Sequence, residues 1–275
     1  MELHGKNIVI TGAGSGIGAS LARAAALKGA NVVVSDINEP NAATIAAEIG
    51  GIAVPCDVTK EDQIQQLVAK AEAENGPIDL FCSNAGLAFG EPSHAASASN
   101  EQWQTCWDVH VMAHVFASRA VLPSMIERKK GYLVNIASAA GLLCQIGDAA
   151  YSATKHAAVS LAESLAITHK SDGISVSVVC PQYVATPLTG YNEVGASNEE
   201  IGVISAEQVA NTIIEGIEAE KFMIHTHPDV KGYFEARAGN HDYWISGMQR
   251  MREKIIERVG STRLEDMHKM FSGKK

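Results

Sequence analysis

The stretch NIVITGAGSGIGAS, residues 7–20, decides how the chain is read. A β-branched run, Asn7–Thr11, leads into a glycine-rich turn and then into the helical stretch IGASLARAAALKG, residues 17–29. Glycines let a backbone approach a pyrophosphate closely, and a helix start offers free N–H groups and a positive dipole end. Strand, glycine turn and helix start in one βαβ unit are the context that reading requires. Asp36 closes the next β-branched run, NVVVSD, 24 residues after Gly12. A carboxylate there can accept both ribose hydroxyls of NAD and repels a 2′-phosphate. The plainer alternative for Asp36 is a turn or N-cap residue.

The alternation continues along the chain. The strand-like runs IAVPCDV, IDLFCSNAG, YLVNIAS, ISVSVVCP and KFMIHT are interleaved with helical stretches. Those stretches are NAATIAAEIG, KEDQIQQLVAKAEAEN, a long helix from about Glu101 to Glu127, a helix around Tyr151, and SAEQVANTIIEGIEAE. Strands alternating with helices imply βαβ units and a parallel sheet. The strands are apolar throughout, as expected when helices cover both faces. Residues 1–275 read as a single domain, an α/β Rossmann fold with a doubly wound parallel sheet of about seven strands. The segment 188–202, rich in Gly and Asn, is longer than most connections and reads as a substrate lid. Residues 228–275 read as a C-terminal helical extension, with Trp244, Met248, Met251, Ile255 and Val259 at helical spacing as a core or interface stripe.

Net charge is −9, which argues against a nucleic-acid partner. From Asp229 onward ten Lys/Arg and seven Asp/Glu give +3, leaving −12 on the rest. The first strand-like run begins too near Met1 for a signal peptide, and no apolar run approaches the ~18 residues that span a bilayer. Five cysteines, an odd number without CxxC spacing, read as reduced thiols. The expectation is a cytoplasmic protein with no membrane partner and no metal. His225 and His227 alternate on a strand without a carboxylate and read as structural, and Trp103 and Trp107 read as packing residues.

The run AAYSATKHAA, residues 149–158, places Tyr151 and Lys155 four apart. On a helix these positions lie one above the other. An ammonium near a phenol favours the phenolate and lowers its pKa from about 10, which makes a proton-transfer group. The bland alternative is a surface tyrosine beside a solvated lysine.

From residue 5 to about 225 the sequence resembles the classical short-chain dehydrogenase/reductase (SDR) family. The motifs are Thr11-Gly12-Ala13-Gly14-Ser15-Gly16-Ile17-Gly18, Asp57-Val58, Asn84-Ala85-Gly86, Ser138, and Tyr151 with Lys155; Ser138 precedes Tyr151 by thirteen residues. The resemblance implies an NAD-dependent enzyme acting on a secondary alcohol or its ketone. It implies that Gly12, Ser15, Gly16, Ile17 and Gly18 form the cofactor turn and that Asp57 and Val58 meet adenine. Asn84, Ala85 and Gly86 would border the cofactor ribose, and Pro181, Val184 and Thr186 would lie at the nicotinamide. Tyr151 would be the acid/base, Lys155 its pKa shifter and a ribose ligand, and Ser138 a partner of the substrate oxygen. His110 stands where the family has an Asn of a proton relay, and is expected to serve that relay as a neutral imidazole. Gln182 replaces the Gly usual after Pro181 and either points an amide into the pocket or is a loop residue.

The same resemblance places Ala88, Phe89, Ala140, Leu142, Leu143, Cys144, Gln182 and Tyr183 around a substrate pocket that is mostly apolar. It also implies a homo-oligomer, a tetramer, because the Tyr151 helix is apolar almost all round. Two other readings compete. A 3-oxoacyl carrier-protein reductase would favour NADPH and a basic docking surface, which Asp36 and the acidic body oppose. A non-catalytic dinucleotide sensor would have little reason to keep Ser138, Tyr151 and Lys155 together.

Overall fold

The computed structural model describes residues 1–91, 93–190, 202–263 and 266. β1 (Asn7–Thr11), β2 (Asn31–Asp36) and β3 (Ile52–Pro55) lie on one side of the sheet. β4 (Leu80–Ser83), β5 (Gly131–Ile136), β6 (Ile174–Val179) and β9 (Met223–Ile224) lie on the other, in the order β3-β2-β1-β4-β5-β6-β9. All pairs in this seven-stranded sheet are parallel, with Val9 level with Val33 on one flank and Phe81 on the other. β7 (Tyr183–Ala185) and β8 (Val203–Ser205) form a separate two-stranded ladder beside it.

Alternate strand residues feed two cores, which is why the strands are apolar on both faces. Val9, Val33, Phe81 and Leu133 pack against α3 (Glu61–Asn75), α5 (Ala113–Glu127) and α7 (Ala149–His169). Ile8, Ile10, Val32 and Val34 pack against α1 (Gly16–Leu27), α2 (Glu39–Ile49) and α8 (Ala206–Glu218). The chain reverses its winding between β1 and β4, and their carboxyl ends open a crevice of the kind in which doubly wound sheets bind ligands.

The long helix expected from Glu101 to Glu127 is divided. α4 (Asn100–Trp107) passes through a π turn, Asp108–Met112, before α5 begins. The extra residue of a π turn re-aims side chains, and such turns occur often at functional sites. Here it carries His110 into the interior, where the ring is fully buried. By length and composition alone Asn100–Glu127 could cross a membrane, but half of its most apolar 18-residue window is buried in the protein, as in a core helix.

α6 (Ala140–Leu143) is a single turn between β5 and α7. The C-terminal arm comprises α9 (Pro228–Gly239) and α10 (His241–Val259). Of the expected stripe, Ile255 is fully buried, Trp244 packs partly on the core, and Met251 is half exposed. Of the expected lid, Pro187–Thr189 forms a short 3-10 turn and Gly202 precedes β8, while residues 191–201 lie outside the described part.

Candidate active site

The crevice at the β1/β4 switch point is a cleft of about 540 Å³. Its floor is the turn after β1. Gly12 has φ +62° and Gly16 φ +53°, a region glycine enters without strain. A Cβ on Gly18 would collide with the Gly12 carbonyl and the Asn84 amide, so α1 can approach β1 this closely only with glycine there. Asn84 braces the same turn, its Nδ2 donating to the carbonyls of Thr11 (2.9 Å) and Gly12 (3.0 Å). Its role here is to lock β4 onto the glycine turn, which the sequence reading gave only in part.

Asp36 stands at the end of β2 and lines the cleft. Oδ2 accepts from the Gly14 N–H and Oδ1 from the Asn38 N–H, both at 2.9 Å. The turn role is thus present, and it leaves each carboxylate oxygen a further lone pair. Asp57 holds the next turn, accepting from the Thr59 N–H and hydroxyl, and Val58 lines the cleft beside it. Ser15, Ile17, Ala85, Gly86, Pro181, Val184 and Thr186 line the cleft as well.

At the inner end Ser138, Tyr151 and Lys155 converge. Tyr151 lies on the first turn of α7 with part of its surface open to the cleft, which Ser138 also lines. Ser138 Oγ donates to the Pro181 carbonyl (3.3 Å) and accepts from the Ala140 N–H (3.1 Å), which fixes its rotamer. Lys155 Nζ, 3% exposed as a residue, donates to the Ile136 carbonyl at 3.0 Å and lies 5.5 Å from the Tyr151 ring centroid. Burial pushes the Tyr151 phenol up to about 12, the Ser138 hydroxyl opposing, and burial draws Lys155 down to about 8. Without the cofactor, burial of the phenol outweighs any lowering by the Lys155 ammonium, 5.5 Å from the ring centroid.

His110 meets two elements. Its Nε2 accepts from the Leu87 N–H at 3.2 Å, which places the ring proton on Nδ1, 2.9 Å from Thr154 Oγ1. Thr154 passes its own proton to the Ala150 carbonyl at 2.8 Å. Burial, then the Lys155 charge, holds the imidazole well below its usual pKa, so it is neutral as the sequence reading expected. Both nitrogens are occupied, however, and neither is free for a relay water.

The substrate side differs from expectation in several residues. Ala88, Ala140, Gln182 and Tyr183 line the cleft. Leu142 and Leu143 turn into the core, Cys144 is turned out to solvent by φ +72°, and Phe89 is half exposed, so none of these four lines it. Gln145 and Asp148 line the cleft instead, making this end more polar than the sequence suggested. Asp148 caps α7: Oδ1 accepts from the Tyr151 N–H (3.0 Å) and Oδ2 from the Gly90 N–H (2.9 Å). An Asp just ahead of an alanine-rich helix is an N-cap signal that could have found it. Tyr183 hydrogen-bonds through its phenol to Gln145. His227 holds the Gln182–Tyr183 backbone from behind, accepting the Gln182 N–H on Nδ1 (3.2 Å) and donating from Nε2 to the Tyr183 carbonyl (3.1 Å). It is structural, as expected.

A switch-point cleft with a glycine cradle at one end and a Ser–Tyr–Lys group at the other defines a dinucleotide-binding α/β protein. The chain belongs to the short chain dehydrogenase family, whose model matches residues 6–195. It is 32% identical over 243 residues to 1-deoxy-11-beta-hydroxypentalenate dehydrogenase of Streptomyces exfoliatus, covering 84% of this chain and 86% of that one. It is 34% identical over 217 residues to the mitochondrial borneol dehydrogenase of Lavandula x intermedia, covering 78% and 83%. Its fold matches a short chain dehydrogenase/reductase from Burkholderia phymatum, solved in complex with NAD, with TM-score 0.80 at 28% identity, covering 88% of this chain and 96% of that one. The protein is thus an oxidoreductase of this family.

Proposed function

We propose that the chain interconverts a hydrophobic secondary alcohol, aryl or alicyclic, and its ketone by hydride transfer with NAD(H), and that Tyr151 is the acid/base. The observation that carries this reading is the convergence of Ser138, Tyr151 and Lys155 at the inner end of the cleft. The cofactor is NAD(H). The residues present fit it: no side chain could replace Gly18 without striking the Gly12 carbonyl, and Asp36 offers a carboxylate where a 2′-phosphate would be repelled. When bound, the cofactor supplies the hydride acceptor or donor. Gly12, Ser15, Gly16, Ile17, Gly18, Asp57, Val58 and the Asn84–Gly86 turn would hold its adenosine and pyrophosphate half, and Pro181, Val184 and Thr186 its other end.

This chain's own groups handle the proton. Ser138 holds the substrate oxygen, and Tyr151 gives a proton to that oxygen in reduction or takes it in oxidation. A phenol at about 12 is fully protonated at neutral pH, the form reduction needs, and a bound cofactor's positive charge would bring its pKa toward the working range. Oxidation needs the phenolate and should quicken as pH rises. Lys155 adds positive charge beneath the ring below about pH 8 and would also bind the cofactor ribose. His110 is assigned to positioning, tying the Leu87 loop at the cleft rim to α7.

Among the described residues Lys155 is the sole Lys or Arg lining the cleft, and Asp148 adds a carboxylate. An uncharged substrate suits that lining better than a carboxylate or phosphate. The relative named for borneol acts on an uncharged alicyclic alcohol, and the one named for hydroxypentalenate on a hydroxy compound that also carries a carboxylate. A carrier-protein reductase reading is weaker, because Asp36 opposes NADPH. A homotetramer in the cytoplasm completes the proposal. Ile167 on α7 and Trp107 on α4 are exposed apolar residues that a second copy would cover, and a monomer mass by light scattering would refute the oligomer.

Tyr151→Phe keeps the ring and removes the hydroxyl. It should cut kcat by at least ~10²-fold, the usual loss for a general acid/base, while NADH binding stays near normal. Turnover close to wild type would overturn the mechanism and revive the sensor reading.

A further inference from the structure

We infer that the C-terminal arm, Pro228–Arg263, sets substrate affinity from outside the cleft by bracing the wall at residues 140–148, with Arg237 and Thr262 as its positioning residues. The inference rests on the reading of the cleft as a substrate site. Two contacts join arm to wall. Arg237, half-buried on α9, donates from Nη1 to the Leu142 carbonyl at 2.6 Å. Thr262, beyond α10, lays its carbonyl against Gly147, which has φ +86° and no room for a Cβ on that side. The arm is itself anchored, because Val230 at its base is fully buried in the core.

The wall needs bracing. Cys144 ends α6 with φ +72° and ψ 137°, a conformation that side-chain-bearing residues rarely adopt. Such strain persists only where surrounding contacts over-determine it. Local bonds hold the turn: the Gln145 N–H donates to Ser152 Oγ at 2.8 Å, the Gln145 amide to the Ile146 carbonyl at 3.0 Å, and the Glu91 N–H to the Gly147 carbonyl at 2.9 Å; the arm adds one contact on each side. Leu142 and Gly147 flank the strained turn, so the arm grips it on both sides. Between them and α7 sit Gln145 and Asp148, which line the cleft. Among the described residues the arm puts no atom in the cleft, so its effect must travel through the wall.

The test uses the full chain with NAD. Arg237→Met keeps the aliphatic stem and loses the hydrogen bond to a charged donor. It should raise KM for a turned-over alcohol about tenfold, with kcat and the KM for NAD within about twofold. Arg237→Lys should recover much of that loss, since an ammonium can donate to the same carbonyl. Gly147→Ala, which dislodges the arm at its other contact, should reproduce the rise. Amide hydrogen exchange at residues 141–147, measured without substrate, should quicken in Arg237→Met while exchange in the glycine turn stays as in wild type. An unchanged alcohol KM in both Arg237→Met and Gly147→Ala overturns the inference. So does a parallel loss of NAD affinity and kcat, which would mark general loosening. If wild type turns over no alcohol or ketone, the functional reading fails. Exchange at 141–147 still decides the bracing: faster exchange in Arg237→Met supports it and unchanged exchange refutes it.

Discussion

Acidification should unfold this protein through His114. The residue lies on α5, 1% exposed, and neither ring nitrogen has a protein hydrogen-bond partner. Burial pushes its pKa down to about 3, and the Lys155 charge acts in the same direction. The unfolded chain takes a proton near pH 6.5, and the folded chain refuses it until about pH 3. Stability is therefore complete above pH 6.5 and falls as pH drops through that window. One such histidine costs a little under about 1 kcal/mol at pH 6 and about 2 kcal/mol at pH 5, values insensitive to where below pH 4 the folded pKa lies. His114→Leu removes the titration and two unpartnered buried polar atoms. Its stability relative to wild type should rise by about 2 kcal/mol between pH 8 and pH 5. Urea unfolding at both pH values, at one protein concentration, measures this difference. An equal variant-to-wild-type difference at pH 8 and pH 5 would refute the reasoning. His110, also buried and held well below its usual pKa, adds a second acid-labile term that the variant leaves in place.

Two further substitutions test the site. Asp36→Ala should narrow the preference for NAD over NADP by removing the carboxylate at the end of β2; a wild type that already uses NADP equally well would contradict the assignment. His110→Asn should keep most activity, since an amide can both accept from the Leu87 N–H and donate to Thr154. His110→Ala should lose about tenfold in kcat/KM with the shape of the pH–rate profile unchanged. An Ala variant equal to wild type removes the positioning role, and a displaced pH profile restores the relay.

The parallel sheet and the glycine cradle were legible because they are local. Asn7–Gly18 is strand, turn and helix start within twelve residues, and no distant contact is needed to see that Gly18 must be glycine. The Tyr151–Lys155 pair was legible for the same reason, being one turn of one helix. What was not legible is the balance of long-range terms at that pair. Spacing brings Lys155 near Tyr151, but the burial that raises the phenol, and the β5 carbonyl nineteen residues away that orients the ammonium, come from segments outside that helix. The π turn was hidden too. DVHVM has the composition of an ordinary buried helix, and the departure from it is coupled to the two partners of His110, one on the Leu87 loop and one on α7.

The substrate wall shows the same limit most sharply. Family spacing placed Leu143 and Cys144 in the pocket, as if the chain after Ser138 ran on smoothly. Instead α6 gives one turn and Cys144 reverses the path at φ +72°, which sends Leu143 inward, Cys144 outward and Gln145 to the cleft. No glycine marks that reversal, and a turn residue with positive φ is recognised from sequence mainly when it is Gly, Asn or Asp. Beside local bonds to Ser152 and from Glu91, the reversal is flanked by Arg237 and Thr262, 95 and 115 positions away from their contacts at Leu142 and Gly147. Local propensity fixes which residues start and end the wall, whereas contacts between distant segments fix which of them face the substrate. That division is why the family and its cofactor could be read from the sequence while the lining of the pocket could not.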